Sequence, residues 1–314
     1  MSITVRPYSD NDLLTLQSEL AGWTQATGDC GYCHVGDLPQ RIYSGLRGVR
    51  PLGELVQVWM DGPQVVGFAI NFLFSAAFCV YASPLHRGGA TELAMLESAT
   101  TTTLRCMREA TSLEPIVITD VVSCDSTRIK LLQQLGFVQY RLWDHITERS
   151  LIEPLDAPKL PAGFTIRSAT LKDYEQLALA RNSAFNDDWT PDMYRDAVMR
   201  KPGYQPEREL VVVAPGGQIA AFTIIWLDTL NKVGLFEPVG THRDFQRMGL
   251  ARALMLYALK VMRQAGMERA LVEHNADNLA AHRLYASLGF QKKYETLGFR
   301  RVNDGARASA DKAD

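Results

Sequence analysis

No charge of one sign dominates this chain, whose formal net charge is −2. Bulk electrostatic attraction to nucleic acid or to an anionic membrane is therefore not expected. The opening stretch MSITVRPYSDND has no apolar core followed by a cleavage site, so it does not read as a signal peptide. Long apolar runs are scarce. Val65 to Ala82 approaches the length of a membrane span, but Asn71 and Ser75 interrupt it and no second run follows. It reads as two buried strands with a turn near Ser75, and no membrane partner is expected. Cysteine is sparse and unpatterned: Cys30, Cys33, Cys79, Cys106 and Cys124. Cys30-Gly31-Tyr32-Cys33-His34 has the spelling of a haem attachment site, yet that chemistry requires export. No second Cys/His pair at zinc spacing stands elsewhere, so no metal is expected. An odd cysteine count without a leader fits a reducing, cytoplasmic location.

What is present is a duplication. The 314 residues suit about two domains, and three landmarks occur twice in the same order. Ile3-Thr4-Val5-Arg6, with Asp12 downstream, returns as Phe164-Thr165-Ile166-Arg167, with Asp173 downstream. Gly62-Pro63-Gln64 leading to Phe68 returns as Gly216-Gly217-Gln218 leading to Phe222, and Leu135-Gly136-Phe137 returns as Leu288-Gly289-Phe290. Two copies make a duplicated domain rather than a solenoid. The spacing shortens along the chain, so the first copy carries extra residues early, with the stretch from Gly28 to Gly53 a plausible place. Pro154, Pro158 and Pro161 mark a linker that suits neither helix nor sheet interior. The expected organisation is a first domain over 1–150, a linker over 151–163, a second domain over 164–302 and a flexible tail over 303–314.

The second copy reads as an α/β layer structure. Strands are expected at Thr165–Arg167, Leu210–Ala214, Ile219–Leu227, Val233–Gly240 and Ala270–Glu273, with a final strand pair closing the copy. An amphipathic helix follows Gly249, its apolar stripe formed by Leu250, Ala253, Leu254, Tyr257, Ala258, Val261 and Met262. Gly266 stops it. A later helix runs from about Asn278, which can cap its start, to Leu288.

The segment from Val239 to Arg252 runs from a strand end directly into a helix start. Bare backbone N–H groups and the helix dipole there make an anion site, Gly249 allows close approach of backbone, and Arg247 and Arg252 add positive charge. Taken alone, the same pattern fits a merely tight strand-to-helix turn.

Here the chain resembles the GNAT superfamily of acetyl-CoA-dependent acyltransferases. Gln246-Arg247-Met248-Gly249-Leu250-Ala251 matches the family signature Gln/Arg-x-x-Gly-x-Gly/Ala. Asn278, Ala281, Tyr285 and Gly289-Phe290 follow in the family's order. The resemblance covers about 164–302. It implies two tandem GNAT-type domains, each a mixed, mostly antiparallel sheet flanked by helices, with acetyl-CoA as cosubstrate. The backbone of Gln246, Arg247, Met248, Gly249, Leu250 and Ala251, with Arg252 nearby, would hold the pyrophosphate. Val239, Gly240 and Thr241 would border the pantetheine arm, and Asn278 would fix that arm or its neighbouring backbone. Tyr285 would protonate the leaving thiolate, which a phenol, protonated at neutral pH, can do. Glu237 is the candidate base, with His242 and His274 as alternatives.

The first copy keeps the pattern but not these parts. Aligned through Arg87, Ala90 stands where Gly249 does and Glu92 where Ala251 does, so a carboxylate would face a pyrophosphate. Leu132 replaces Tyr285 and Asp125 replaces Asn278. This half reads as a degenerate partner. The expectation is N-acetyl transfer to a primary amine of a small molecule, by direct transfer in a ternary complex. The alternatives are a non-catalytic acyl-CoA-binding module, or transfer of another acyl group. Asp187, Asp188, Trp189 and Tyr194 lie where the family builds its acceptor site and would suit a cationic amine, Trp189 and Tyr194 doubling as core candidates. The sequence leaves the oligomeric state open.

Overall fold

The computed structural model describes residues 3–73, 75–109 and 116–302. In chain order the first half gives β1 (Thr4–Pro7), α1 (Leu13–Thr27), α2 (Asp37–Pro39), α3 (Leu52–Leu55), β2 (Val56–Asp61), β3 (Gln64–Phe72) and β4 (Ala77–Ala82). It continues with α4 (Ala90–Glu109), β5 (Ile116–Val122), α5 (Ser126–Gln134) and β6 (Val138–Ser150). The second half gives β7 (Thr165–Ser168), α6 (Tyr174–Phe185), α7 (Pro191–Tyr194), β8 (Glu209–Val213), β9 (Ile219–Asp228) and β10 (Val233–Thr241). α8 (Leu250–Gln264), β11 (Arg269–Asn275), α9 (Leu279–Ser287) and β12 (Gln291–Val302) complete it. The apolar run from Val65 is a pair of antiparallel strands, β3 and β4, with side chains buried on both faces. No helix among the described residues is long and apolar enough to cross a membrane.

Two compact units interleave along the chain, where the sequence pattern suggests one cut near the proline-rich linker. The first comprises residues 3–33, 48–145 and 294–302; the second comprises 34–47 and 146–293. Segment 34–47 lies in the stretch marked above for extra residues, and it belongs to the second unit. His34 Nε2 lies 3.0 Å from the Val233 carbonyl oxygen, and Gly36 packs so closely on Trp226 that a Cβ would sit 2.2 Å from it. The expected closing strand pair is instead a single strand, β12, whose residues 296–302 pair antiparallel with β5 in the first unit. The tail expected from Asn303 lies outside the described residues.

In the first unit β1, β2, β3 and β4 are successive antiparallel neighbours, and β4 pairs in parallel with β5. In the second unit β7, β8, β9 and β10 repeat that order, with β11 parallel to β10. The core of the second unit forms where α8 lays one face on the sheet. Leu250, Leu254, Ala258 and Met262 of the expected stripe are buried, joined by Met255, Leu256 and Leu259. Each large side chain so buried contributes about 1.5–3 kcal/mol relative to exposure. Tyr257 departs from the expected stripe and is exposed; its neighbours Leu256 and Ala258 already fill the space against the sheet. Gly266, at φ +87°, ends the helix in the left-handed conformation that glycine adopts without steric cost.

Candidate active site

β10 pairs with β11 only from Val233 to Phe236. Its register against β9 shifts between Phe236 and Val239, and from Val239 to Thr241 it pairs with β9 alone. β11 continues to Asn275, so beyond Phe236 and Val272 the two strands diverge. Divergence leaves strand edges whose backbone groups must find partners outside the sheet. The His242 N–H goes to the Ala220 carbonyl at 2.9 Å; strand alternation then turns the N–H groups of Thr241 and Val239 toward the open edge. Gly240 answers to a different need, because a Cβ there would lie 2.3 Å from the Phe222 ring.

The chain leaves β10 at the head of this gap and enters α8. Gln246, Arg247, Met248 and Gly249 are exposed. Arg247 and Gly249 have φ of +63° and +77°, and nothing lies within 4 Å of where a Gly249 Cβ would be. The first described bond into the helix runs from Ala253 N–H to the Gly249 carbonyl at 3.0 Å. The preceding amides of Leu250, Ala251 and Arg252 have no partner within the helix and, with its dipole, present a binding site for an anion. Arg252 forms an ion pair with Asp156 at 2.9 Å, so Arg247 is the more available cation. An exposed loop, an amide-lined helix start and a strand gap together form a place where an anionic group could be held by backbone.

Across the gap, Asn278 caps α9 by accepting the Ala281 N–H at 3.0 Å. Its side-chain oxygen is thereby committed to the helix. Tyr285 lies on the inner face of that helix, buried, with its ring 5.7 Å from His274 and 6.1 Å from Phe290. Burial, and second the Glu237 carboxylate, push its phenol well above the usual range. Glu237 and Tyr285 therefore lie within electrostatic reach of one another. Glu237 is half-buried at the bulge of β10, and its carbonyl accepts the Trp226 indole N–H at 2.9 Å. His274 is buried on the diverging end of β11, with Nδ1 2.9 Å from the Asn275 carbonyl oxygen. His242 caps the short turn after β10, its Nδ1 accepting the Asp244 N–H at 3.3 Å. The structure thus gathers Glu237, His274 and Tyr285 around the gap and leaves His242 at its rim.

The acidic pair expected near the acceptor is already ion-paired, Asp187 with both Arg47 and Arg181 and Asp188 with Arg47. Arg47 donates to Asp187 at 3.0 Å, pairs with Asp188, and stacks 4.4 Å from the Trp189 ring. Trp189 and Tyr194 are core residues, 3% and 1% exposed. Nothing local in the sequence signals Arg47 here, because its partners stand far along the chain.

A model of the acetyltransferase (GNAT) family matches residues 174–290. The likeness to GNAT acetyltransferases thus lies within the second half of the chain. It is 28% identical to a mycothiol acetyltransferase of Frankia alni over 179 residues, covering 51% of this chain and 53% of that one. It is 34% identical to the ribosomal protein bS18-alanine N-acetyltransferase of Escherichia coli over 89 residues, covering 28% of this chain and 59% of that one. The chain thus spans about half the length of the curated relatives it matches. A tandem GNAT protein from the clavulanic acid biosynthesis pathway shares the fold over 96% of this chain and 99% of its own, with TM-score 0.65 and 15% identity.

The first unit differs from the second at the same place. β4 and β5 also diverge, pairing only at Ala77 and Phe78, but the gap is filled from within. At positions matching Val239 and Thr241, the Val80 carbonyl accepts from Arg128 Nη1 at 2.8 Å and the Ala82 carbonyl from the Tyr32 hydroxyl at 2.9 Å. Glu92 is fully buried, ion-paired with Arg128, and accepts the Gly88 N–H at 2.5 Å. Its carboxylate holds the loop amide that a phosphate would need. Arg87 pairs with Asp125 at 2.5 Å and donates to the Cys30 carbonyl at 2.9 Å. Cys30 is disulfide-bonded to Cys124, which departs from the expectation of unpaired cysteines. That bond joins residues 94 apart in sequence, a proximity no spacing rule reveals.

Proposed function

We propose that this chain is an acetyl-CoA-dependent N-acetyltransferase with one cofactor site, in the second unit, acting in the cytoplasm on a primary amine of a small molecule. The observation that carries the reading is the divergence of β10 from β11 beside the exposed turn Gln246–Gly249 that leads into α8. Acetyl-CoA supplies an activated acyl thioester. The loop amides, with Arg247, hold the pyrophosphate; Val239 and Thr241 offer backbone N–H groups to the pantetheine amides. Asn278 acts by fixing the start of α9, and with it the position of Tyr285.

Acyl transfer requires a neutral amine and a proton for the departing sulfur. Glu237 is placed to accept the amine's proton, directly or through water, because it sits on the bulge bordering the gap. Tyr285, held protonated by burial, donates to the thiolate. The paired positions of Glu237 and Tyr285 favour direct transfer while both substrates are bound. Incubating the protein with acetyl-CoA and a metabolite extract, followed by mass spectrometry for N-acetyl products, tests the reading. Binding of acetyl-CoA without any acetylated amine would leave a non-catalytic acyl-CoA module.

A further inference from the structure

The helix that flanks the acceptor side carries a cation with unused donors. Arg181, on α6, is 6% exposed. Its Nη2 donates to Ser44 Oγ at 3.1 Å, while its buried Nε and Nη1 find no hydrogen-bond acceptor among the described residues. Asp187 Oδ2 forms an ion pair with Nε at 3.6 Å, beyond hydrogen-bond reach, and it already accepts the Trp189 indole N–H at 3.1 Å; the Tyr194 hydroxyl also interacts with the guanidinium. Arg47 takes the other oxygen of Asp187. Glu209, the remaining buried acid nearby, is held by the hydroxyls of Tyr194 and Tyr204 at 2.6 and 2.5 Å. The rings of Trp189, Phe185 and Tyr194 lie within 5.3, 5.8 and 6.0 Å of the guanidinium. A planar donor fork in an aromatic frame, with two of its nitrogens lacking acceptors, is built to take an oxyanion.

The same helix reaches the reaction centre. Ser183 accepts the Arg243 N–H at 3.0 Å, at the head of the phosphate loop. Phe185 packs edge-on against Phe222, the ring for which Gly240 makes room. Arg181 lies one turn before Phe185, on the buried side.

We infer that Arg181, steadied by Ser44, anchors an anionic group of the acceptor, so that the acceptor is an amine carrying a carboxylate or a phosphoryl group. This rests on the acetyltransferase reading and reverses the cationic acceptor suggested by Asp187 and Asp188, whose two charges Arg47 and Arg181 together balance. Ser44 and Arg47 come from the segment that the first half of the chain contributes to this unit.

The test is acetyl transfer by the full-length protein to propylamine, β-alanine, 2-aminoethylphosphonate and 1,3-diaminopropane. β-Alanine against the phosphonate separates the two sources of oxyanion. The expected result is that one anionic amine exceeds propylamine in kcat/KM by roughly tenfold or more, as one charge-assisted contact implies. Arg181→Met should erase that preference through KM, and Arg181→Lys should keep part of it, with acetyl-CoA affinity unchanged in both. Equal losses on propylamine and on the anionic amines would make Arg181 a purely structural residue and overturn the inference. The wild-type panel decides even where Arg181→Met fails to fold: a preference for the diamine or for propylamine also overturns it. Failure to bind acetyl-CoA, or binding without transfer to any amine, would instead remove the transferase reading itself.

Discussion

Asp173 accepts two hydrogen bonds from the Arg167 guanidinium, each 2.8 Å long, and Asp12 takes the same fork from Arg6 at 2.8 and 2.7 Å. The duplication extends to the turn, where Asp173 also accepts the Thr170 N–H at 2.7 Å and Asp12 the Ser9 N–H at 2.8 Å. In both units one carboxylate ties the first strand to the first helix. The hydrogen bonds from arginine hold both carboxyls below their ordinary range. A depressed folded pKa gives stability that is complete above the unfolded value, about 3.9, and is lost as pH falls through the folded value. Stability should therefore drop below about pH 4, and Asp173→Asn should flatten part of that drop. Because Arg167 is 41% exposed, its loss should cost only about 1 kcal/mol at neutral pH. Denaturant unfolding at neutral and acid pH measures this; an unchanged acid limb in Asp173→Asn would assign it to other carboxylates.

One cofactor per chain is the second expectation. The Gln246–Gly249 turn is exposed, whereas Glu92 and Arg128 occupy the corresponding amide and strand edge in the first unit. Calorimetric titration with acetyl-CoA should give a stoichiometry near one, and Gly249→Glu should abolish it. A second equivalent that survives Gly249→Glu would place a site in the first unit. Conversely, Glu92→Ala should create no site; it strands a buried guanidinium, at a cost of about 3–5 kcal/mol. The melting temperature of that variant checks the cost.

Much of this was legible because it is local. The stripe of α8, the glycine after it, the Asn278 cap and the turn between β3 and β4 each depend on residues within a few positions of one another. So does the exposed turn into α8, with its left-handed Gly249. What could not be read depends on distant pairing. Segment 34–47 looks like an insertion in the first copy, and nothing in its composition says that Gly36 packs on Trp226 or Ser44 on Arg181. β12 reads as the end of the second copy, yet its residues 296–302 pair with β5, far away in the sequence. Asp187 and Asp188 looked acidic until Arg47 was placed between them.

That exchange of segments governs truncation. A fragment beginning at residue 160 lacks 34–47 and 146–159, which belong to the second unit. It would expose the Trp226 face covered by Gly36 and lose the Thr147 bond to the Val272 carbonyl at 2.8 Å. The fragment should be poorly soluble and inactive. In the full chain, Arg47→Ala should raise the acceptor KM several-fold while acetyl-CoA affinity holds, since Arg47 touches the Asp187–Trp189 turn and not the phosphate loop. A soluble fragment with full activity on the same amine would show that the first half contributes nothing to the acceptor side.

Tyr285→Phe isolates the proton donor. The ring packs against His274 and Phe290 inside the core, and phenylalanine keeps that packing while removing the hydroxyl, so folding should be retained. General acid catalysis is typically worth about 10²–10⁴-fold, or roughly 3–5 kcal/mol of barrier. kcat should fall by about two orders of magnitude or more, with acetyl-CoA affinity little changed, because the lost interaction belongs to the transition state. The Glu237 carboxylate helps to keep the phenol protonated, so Glu237→Gln should leave Tyr285 able to donate while removing the base. Its loss should then be largest at low pH, where fewer amine molecules are neutral, and shrink as rising pH deprotonates them without help. A kcat for Tyr285→Phe near that of the wild type, measured where chemistry limits turnover, would make Tyr285 a core residue. The thiolate would then take its proton from water or from His274, the other titratable side chain buried at the diverging end of β11.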